Sequence, residues 1–594
     1  MTKIKKLQHK RLNFPPQEIQ QLREKLEAAS TSSIHEVLAT HQEWAFVRGD
    51  LYHWISVLNR FDDVMAEVCE KYTLAGLQKT DFDNDTQKTL VAILHFSRLL
   101  LENCINRNLY SSVDRLDGLL NTSDPDVLEC TLRLLLRTSQ RWSYQRDLKA
   151  NQAMMSGRLT TLADPWHIKK GLVSSVEHGT EENTASHTNE FRLITVTEGL
   201  VSIHVPVRDL GVDTNAGVCE QVRQALDKLV AKHKVPSTHH YELRHRILVA
   251  LAFATGNSEL RYTLLRSRIY AAAVLSQLMN EQEFKNMFLS REPTFTADII
   301  GVLQPEAHAP LSVQTAVFMA LESLLKQRSE VSGAYVALNA SANHGVLMFI
   351  LRKAFTNIDA PPMYPYEFMS ALYFFLTGMA NNMNGGQLLV SAGVVPIFVS
   401  ALKHTHAQQL RSTGRVAKLL DYLISSTNST FSAFCGANGI ATLVERMHAE
   451  VLRAVETSNA DPDSTKDLAS PVALPNFLDN PKQLYRRREI LPAEQIYLLK
   501  ELFKLLSHLV QQTSYQDRLR NLVETTLPAT LCTALAHPAA FGGNIYGLAI
   551  SISAMLVHNE PTSLPIIQEA HIPETMLEQL ERHLPYNSDV IINI

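Results

Sequence analysis

A chain of 594 residues, 45% hydrophobic and 20% charged, has the make-up of a globular protein and the length for more than one core. Its formal net charge of −4 lacks the basic excess of a nucleic-acid scaffold, which argues against nucleic acid as a partner. Glycine (23) and proline (24) are sparse, a balance that favours helix over sheet.

The opening stretch, Met1 to Arg11, is basic but has no apolar h-region, so it does not read as a secretory signal. Apolar runs such as Leu388 to Leu402 are interrupted by glycine and proline and fall short of the roughly 20 residues a membrane span needs. The expectation is a soluble protein of the cytoplasm or nucleus, with no membrane partner. Six cysteines, Cys69, Cys104, Cys130, Cys219, Cys435 and Cys532, stand far apart without C-x-x-C spacing. They read as buried thiols and not as a disulfide framework or zinc site.

The first helical block is taken as 1–155. Leu90, Ile93, Leu94, Leu100 and Leu101 recur with helical period. Asp124-Pro125 supplies an N-cap with proline in the first turn, and Val127, Leu128, Thr131, Leu132 and Leu135 then line one face. Tyr52, Trp54, Trp142 and Tyr144 lie beside aliphatics and are expected in the core. Residues 156–215 form an insertion. Ser156 to Glu190 is polar and reads as a long loop, while Phe191 to Val207 alternates around Glu198-Gly199 and predicts a β-hairpin packed on a helical face.

The second helical block spans 216–357. Val313, Val317, Leu321, Leu324 and Leu325 carry its clearest periodic face. His239, His240 and His245 form the densest histidine cluster, but paired metal ligands on one helical face stand four apart, which 240 and 245 do not. His404 and His406 have no acidic or cysteine neighbour in sequence. Both groups read as surface or capping histidines.

The third block, 358–594, contains a repeat. Ala392-Gly393-Val394-Val395-Pro396 closes one helix and opens the next, and Asn438-Gly439-Ile440-Ala441, Thr526-Leu527-Pro528 and His571-Ile572-Pro573 follow the same scheme. Residues 396, 441, 528 and 573 are 45, 87 and 45 apart, a period inside the armadillo/HEAT range of about 40–47. Such units bury their apolar faces only by stacking. A stretch from Val455 to Pro492, with Pro462, Pro471, Pro475 and Pro481, reads as a flexible linker that protease should cut first. Beside it Arg486, Arg487 and Arg488 read as a solvated charge run.

With roughly 25 helical segments, the fold class is all-α: an armadillo/HEAT-like α-solenoid with one small β-hairpin insertion at about 191–207. Asn384-Gly385-Gly386-Gln387 is followed by no Gly-Lys-Ser/Thr and reads as helix termination, and Cys435 to Gly439 matches a G-x-x-G loop in letters only. No G-x-S-x-G, H-E-x-x-H or paired-carboxylate pattern stands on a suitable scaffold. Catalytic, cofactor-binding and metal-ligating residues are therefore each expected to be none, and no cofactor is implied.

Leu51 to Asp63, Leu109 to Asp124, Gly385 to Gly393 and the pattern of Ser514 to Leu584 resemble the N-terminal region of the giant HECT-type ubiquitin ligases of the Huwe (Mule) and yeast Tom kind. The resemblance runs along essentially the whole chain and takes in two helical blocks known there as domains of unknown function. It implies a non-catalytic scaffold arm that recruits protein substrates or adaptors on a concave face. Ubiquitin transfer would belong to a HECT domain with its acceptor cysteine far downstream, a domain for which nothing up to Ile594 is a counterpart. The chain then reads as a fragment or truncated form of a protein-ubiquitination enzyme. An autonomous armadillo-type adaptor in transport or trafficking is the alternative, and an enzyme with an unfamiliar site a third.

Overall fold

The structure, a computed structural model, describes residues 17–39, 51–74, 77–78, 80–104, 109–140, 152–164, 190–197, 199–339, 345–355, 361–426, 428–459, 491–512 and 520–583. It divides into two compact units. The N-terminal unit comprises Pro15–Ala340 and Tyr366–Phe375, and the C-terminal unit the remainder. Each is a set of packed helices, so the chain is all-α with the expected hairpin.

Local rules account for many of the helices. Asp124 caps helix Pro125–Ser139 by accepting from the backbone N–H groups of Asp126 (3.1 Å) and Val127 (3.0 Å), with Pro125 in the first turn. Val127, Leu128, Thr131, Leu132 and Leu135 are all buried, as are the periodic positions of helices Asn84–Asn103 and Leu311–Leu324. Those three helices surround or adjoin the centre of the N-terminal unit, helix Ser258–Leu278, which packs on Pro125–Ser139, Leu311–Leu324 and Gln152–Ala163. From Arg261 to Leu278 every residue of this central helix is buried, the pattern of a helix enclosed on all sides.

Strands Glu190–Thr197 and Gly199–Pro206 pair antiparallel with Glu190 opposite Pro206 and Thr197 opposite Gly199. The hairpin packs on helix His240–Ala254, where Val205 joins Val222, Leu226, Leu243 and Ile247. A second, two-residue ladder joins Thr73–Leu74 to Leu77–Gln78.

In the C-terminal unit the repeat has a specific backbone meaning. Helices Met383–Ser391, Asn428–Gly436 and Leu564–Glu569 each end in alanine followed by a left-handed residue: Ala392-Gly393 (φ 86), Ala437-Asn438 (φ 59) and Ala570-His571 (φ 57). The left-handed residue's N–H bonds back to the carbonyl of Val390, Cys435 or Gln568 at 3.0, 3.0 and 2.9 Å, closing one helix. The next helix starts at once, at Val394, Gly439 or Ile572. The Thr526 junction departs from this scheme, because Thr526 has φ −72.

Several sequence expectations change. Ser156 to Ala163 belongs to helix Gln152–Ala163 and not to a loop, because Met155, Leu159 and Leu162 bury against neighbours despite the glycine and threonines around them. Residues 165–189 lie outside the described residues, as do Trp142, Tyr144, the N-terminal basic stretch and Arg486–Arg488. Helix Gly439–Asn459 runs past Val455, and 460–490 is again outside the described residues. Tyr52, expected in the core, is 67% exposed, whereas Trp54 is buried edge-on to Phe96 at 5.4 Å. Helix Pro538–Asn559 contains a 20-residue window, Ala540–Asn559, apolar and long enough to cross a membrane. Half of its 18-residue apolar window is buried inside the fold, Ile545, Tyr546, Ala549 and Ile552 are buried, and the helix, kinked at Gly542, packs on Ala493–Gln511 and Leu527–Ala536.

Candidate functional site

The densest polar feature within the N-terminal unit is a chain of six charges. Arg98 and Glu102 stand four apart on helix Asn84–Asn103, and Arg133 and Arg137 four apart on Pro125–Ser139, a spacing that stacks each pair on one helical face. Glu322 comes from Leu311–Leu324 and Glu367 from the first turn of Tyr366–Asn381. Glu102 Oε1 accepts from Arg98 Nη1 and Arg137 Nε, both at 2.9 Å. Arg137 Nη1 donates to Glu322 Oε2 at 2.7 Å. Arg98 Nη2 donates to Glu367 Oε1 at 2.6 Å, and Arg133 Nη2 reaches both Glu367 oxygens at 3.3 and 3.2 Å. The Arg137 guanidinium also lies 4.9 Å from the centre of the Phe374 ring.

Three arginines and three glutamates cancel, which makes the burial of Arg98, Glu102 and Arg137 tolerable, while Glu367 stays 43% exposed at the edge. Burial alone would raise the Glu102 carboxyl, but Arg98 and Arg137 overcome it and hold it at about 2. Glu367 is likewise held well below the ordinary carboxylate range, with Arg133 and Arg98 outweighing burial. Carboxylates fixed in the ionised state have no proton to give at neutral pH and are too acidic to take one. The free space between them, lined by Arg98, Glu102, Arg133, Thr315 and Glu367 among others, is about 10 Å³, room for a single water. The network ties four helices together and offers a substrate no place to sit.

The C-terminal unit brings together serine, histidine and aspartate. His508 Nδ1 lies 2.8 Å from Asp421 Oδ1 and 3.2 Å from Ser425 Oγ, and His508 Nε2 lies 3.1 Å from Gln512 Nε2. A nucleophilic triad needs hydroxyl and carboxylate on opposite ring nitrogens. Here both meet Nδ1, so the trio joins helix Leu410–Ser426 to helix Ala493–Gln511 and has no base for the serine.

The histidines flagged in sequence are distributed to different tasks. His239 pairs with Glu242 at 3.6 Å, and His240 Nε2 lies 3.1 Å from the Val235 carbonyl. His245 is buried and not at the surface; burial, with Arg244, Arg246 and Arg268 nearby, pushes it down to about 3. His404 is also buried, its Nε2 3.3 Å from the Phe355 carbonyl, while His406 does cap, accepting from Gln408 N at 3.3 Å. Gly385 and Gly386 begin a helix and do not end one. Asn382 caps Met383–Ser391, and a side chain at Gly385 would strike the Met379 carbonyl. Among the described residues no group of three or more His, Cys, Asp or Glu is placed to hold a metal.

Of the thiols, Cys104 and Cys219 are buried and the other four partly so. Burial pushes Cys69 up to about 11, and Cys130 and Cys219 up to about 12. Cys532 Sγ lies 3.4 Å from Thr575 Oγ1.

The arginine network escaped the sequence reading, although its signal was present: Arg98 and Glu102, and Glu129, Arg133 and Arg137, recur every fourth residue inside otherwise leucine-rich helices. The Ser425–His508 contact joins residues 83 apart and left no such trace.

Fold and polar geometry together define a helical-repeat scaffold whose buried charges are spent on holding helices. Residues 85–204 and 195–356 match the family model described as Domain of Unknown Function DUF908, and 414–594 match Domain of Unknown Function DUF913. The chain is 27% identical to the E3 ubiquitin-protein ligase ptr1 of Schizosaccharomyces pombe, over 93% of its own length and 17% of the relative's. It is 24% identical to the E3 ubiquitin-protein ligase UPL1 of Arabidopsis thaliana, over 99% and 16%, and 23% identical to the E3 ubiquitin-protein ligase HUWE1 of Mus musculus, over 95% and 13%. It therefore spans less than a fifth of the length of these relatives. Along about 95% of its length the chain is thus similar to the N-terminal regions of HECT-type E3 ubiquitin ligases.

Proposed function

We propose that this chain is a non-catalytic scaffold arm that recruits protein substrates or adaptors, on a concave face of its helical repeats, for a HECT-type ubiquitin ligase acting in the cytoplasm or nucleus. The observation that carries the reading is the collinear match along at least 93% of the chain to relatives named as ubiquitin ligases. Thiol chemistry supports it. A HECT ligase accepts ubiquitin on a cysteine as a thioester, which requires an accessible thiol whose thiolate is favoured. Cys69, Cys130 and Cys219 are driven the opposite way by burial, and Cys104 is enclosed.

The test mixes the chain with ubiquitin, activating enzyme, a charged conjugating enzyme and ATP. No reductant-sensitive ubiquitin adduct should form. An adduct that disappears with reductant and with one particular Cys→Ala change would overturn the reading. In cells, proteins captured by the chain should be those whose ubiquitination falls when the corresponding region is deleted from the ligase. Capture of transport factors whose ubiquitination is unaffected would favour an autonomous adaptor.

A further inference from the structure

Three long helices of the C-terminal unit lie side by side in one layer. Helix Ala493–Gln511 packs on Leu410–Ser426 on one flank and on Pro538–Asn559 on the other. Gly414 faces Tyr497 and Leu498, while Asp421 and Ser425 meet His508, so the first two helices run in the same direction. The Asn559 side chain donates to the Val510 carbonyl at 2.6 Å, which brings the C-terminal ends of the second and third together. All three are therefore parallel. Behind them lies a second layer, in which Gly439–Asn459 packs on Ala493–Gln511 and Leu527–Ala536 on Pro538–Asn559.

The outward faces change chemistry across the layer. On the first helix the exposed Lys418 and Tyr422 stand four apart, and on the second Lys500, Lys504 and His508 follow at the same spacing, which places each set on one face. The Lys504 side chain is 42% exposed and Tyr422 39%. Carboxylates do little to offset these cations. Glu501 is enclosed, 3.7 Å from Lys504, Asp421 is held by His508, and Glu494 sits back in the first turn. The third helix carries no acidic side chain and no basic one besides His558. Its Ile545, Ala549 and Ile552 turn inward, whereas Leu548, Ser551 and Met555 are half-buried and Ala554 is exposed. A basic strip thus borders an apolar one, and such a border marks a face for a partner of opposite charge with apolar anchors.

We propose that the outward face of this layer binds an extended acidic segment of a partner protein. Its carboxylates would meet Lys418, Lys500 and Lys504, and its apolar side chains would rest on Leu548, Ala554 and Met555. Packed helices lie about 8–10 Å apart, so the apolar helix is one or two such steps from the cations, roughly three to six extended residues. The segment therefore carries an acidic cluster with an apolar pair about that far along the chain. This rests on the scaffold reading above and gives the recruited partner a chemistry.

Fluorescence anisotropy of the full chain with a dye-labelled peptide, Asp-Glu-Asp-Glu-Gly-Ser-Phe-Leu, and with its reversed sequence tests the assignment. At least one of the two should bind, and replacing its Phe-Leu by Ala-Ala should weaken it. Lys500→Glu combined with Lys504→Glu should lower the affinity roughly tenfold or more, and Ala554→Asp about threefold or more. Lys232→Glu with Lys234→Glu, an equal change of net charge at an exposed helix end of the other unit, should leave it unchanged. The binding variants lie on different helices, so one that unfolds, as its melting curve would show, leaves the other to decide. Failure of both peptides to bind, an equal loss in the Lys232 and Lys234 control, or equal binding of an oligouridylate RNA of the same charge would overturn the assignment. Such a failure would move recruitment off this layer without removing it, because capture in cells does not depend on which face is used.

Discussion

Replacing Glu102 by glutamine removes one negative charge from a network that otherwise sums to zero. Glu102 Oε1 serves Arg98 and Arg137 at 2.9 Å each, from a side chain 7% exposed. Burial opposes its charge, yet the two guanidinium groups hold it at about 2 where 4.5 is ordinary. That difference amounts to roughly 3 kcal/mol in favour of the ionised form. It agrees in size with the about 3–5 kcal/mol lost when one partner of a buried ion pair is removed. Native-state hydrogen exchange at pH 7 reads this directly. Amides of Asn84–Asn103 and Pro125–Ser139 that exchange by opening of the unit should exchange on the order of 100-fold faster in Glu102→Gln. The pH dependence has a definite sign. The folded carboxyl lies below the unfolded one, so its contribution is complete above the unfolded value of 4.5 and drains away as pH falls toward 2. Wild type should lose that increment over the window and the glutamine variant should not. A variant that exchanges like wild type at pH 7 and keeps the same acid slope would refute the assignment.

His245 gives the opposite case. Buried and beside three arginines, it is pushed from 6.5 to about 3, so the unfolded chain gains a proton that the folded chain refuses. Below pH 6.5 this costs up to about 1.4 kcal/mol per pH unit. His245→Leu should flatten the urea-derived stability profile between pH 6.5 and 5, and parallel profiles would exclude this histidine as the source. At the repeat junctions, Gly393 with φ 86 should lose about 1 kcal/mol on substitution by alanine. Asn438→Gly and His571→Gly, at φ 59 and 57, should be neutral or stabilising by a few tenths of a kcal/mol. Urea denaturation checks all three, and an unchanged Gly393→Ala would mean that the junction relaxes.

What could be read from sequence were features set by near neighbours. Asp124-Pro125 caps a helix through atoms two and three residues away, and apolar spacing fixes which face of Leu311–Leu324 turns inward. The repeat was visible as glycine, asparagine or histidine before an aliphatic run, although its cause, a left-handed residue closing each helix, needed backbone angles. Helix Gln152–Ala163 was missed because Gly157, Thr160 and Thr161 dilute its period, while the central helix supplies the burial that makes it fold. His404 looked like a capping residue because its partner, the Phe355 carbonyl, is 49 positions away.

The buried charges raise a question of purpose, since replacing a whole buried ion network by apolar side chains is often neutral or stabilising by about 1–4 kcal/mol. Register offers an answer. Leu132, Leu134, Leu135 and Leu136 make helix Pro125–Ser139 apolar over much of its circumference, and leucine surfaces tolerate sliding by one turn. A slip of one turn would carry Arg133 toward the place of Arg137, opposite Glu102 and Glu322, and leave Glu367 without its second arginine. Moving Arg137 away from Glu102 would strand a charge that is only 7% exposed, which costs several kcal/mol, whereas the displaced leucines would lose little. We therefore expect the triple variant Glu102→Leu, Arg137→Met, Glu322→Leu to keep its melting temperature within a few degrees. Spin labels at the exposed ends of Asn84–Asn103 and Pro125–Ser139 should nevertheless report a broadened or doubled distance distribution. A single narrow distribution, the same as in wild type, would show that apolar packing alone sets the register and that the charges serve some other end.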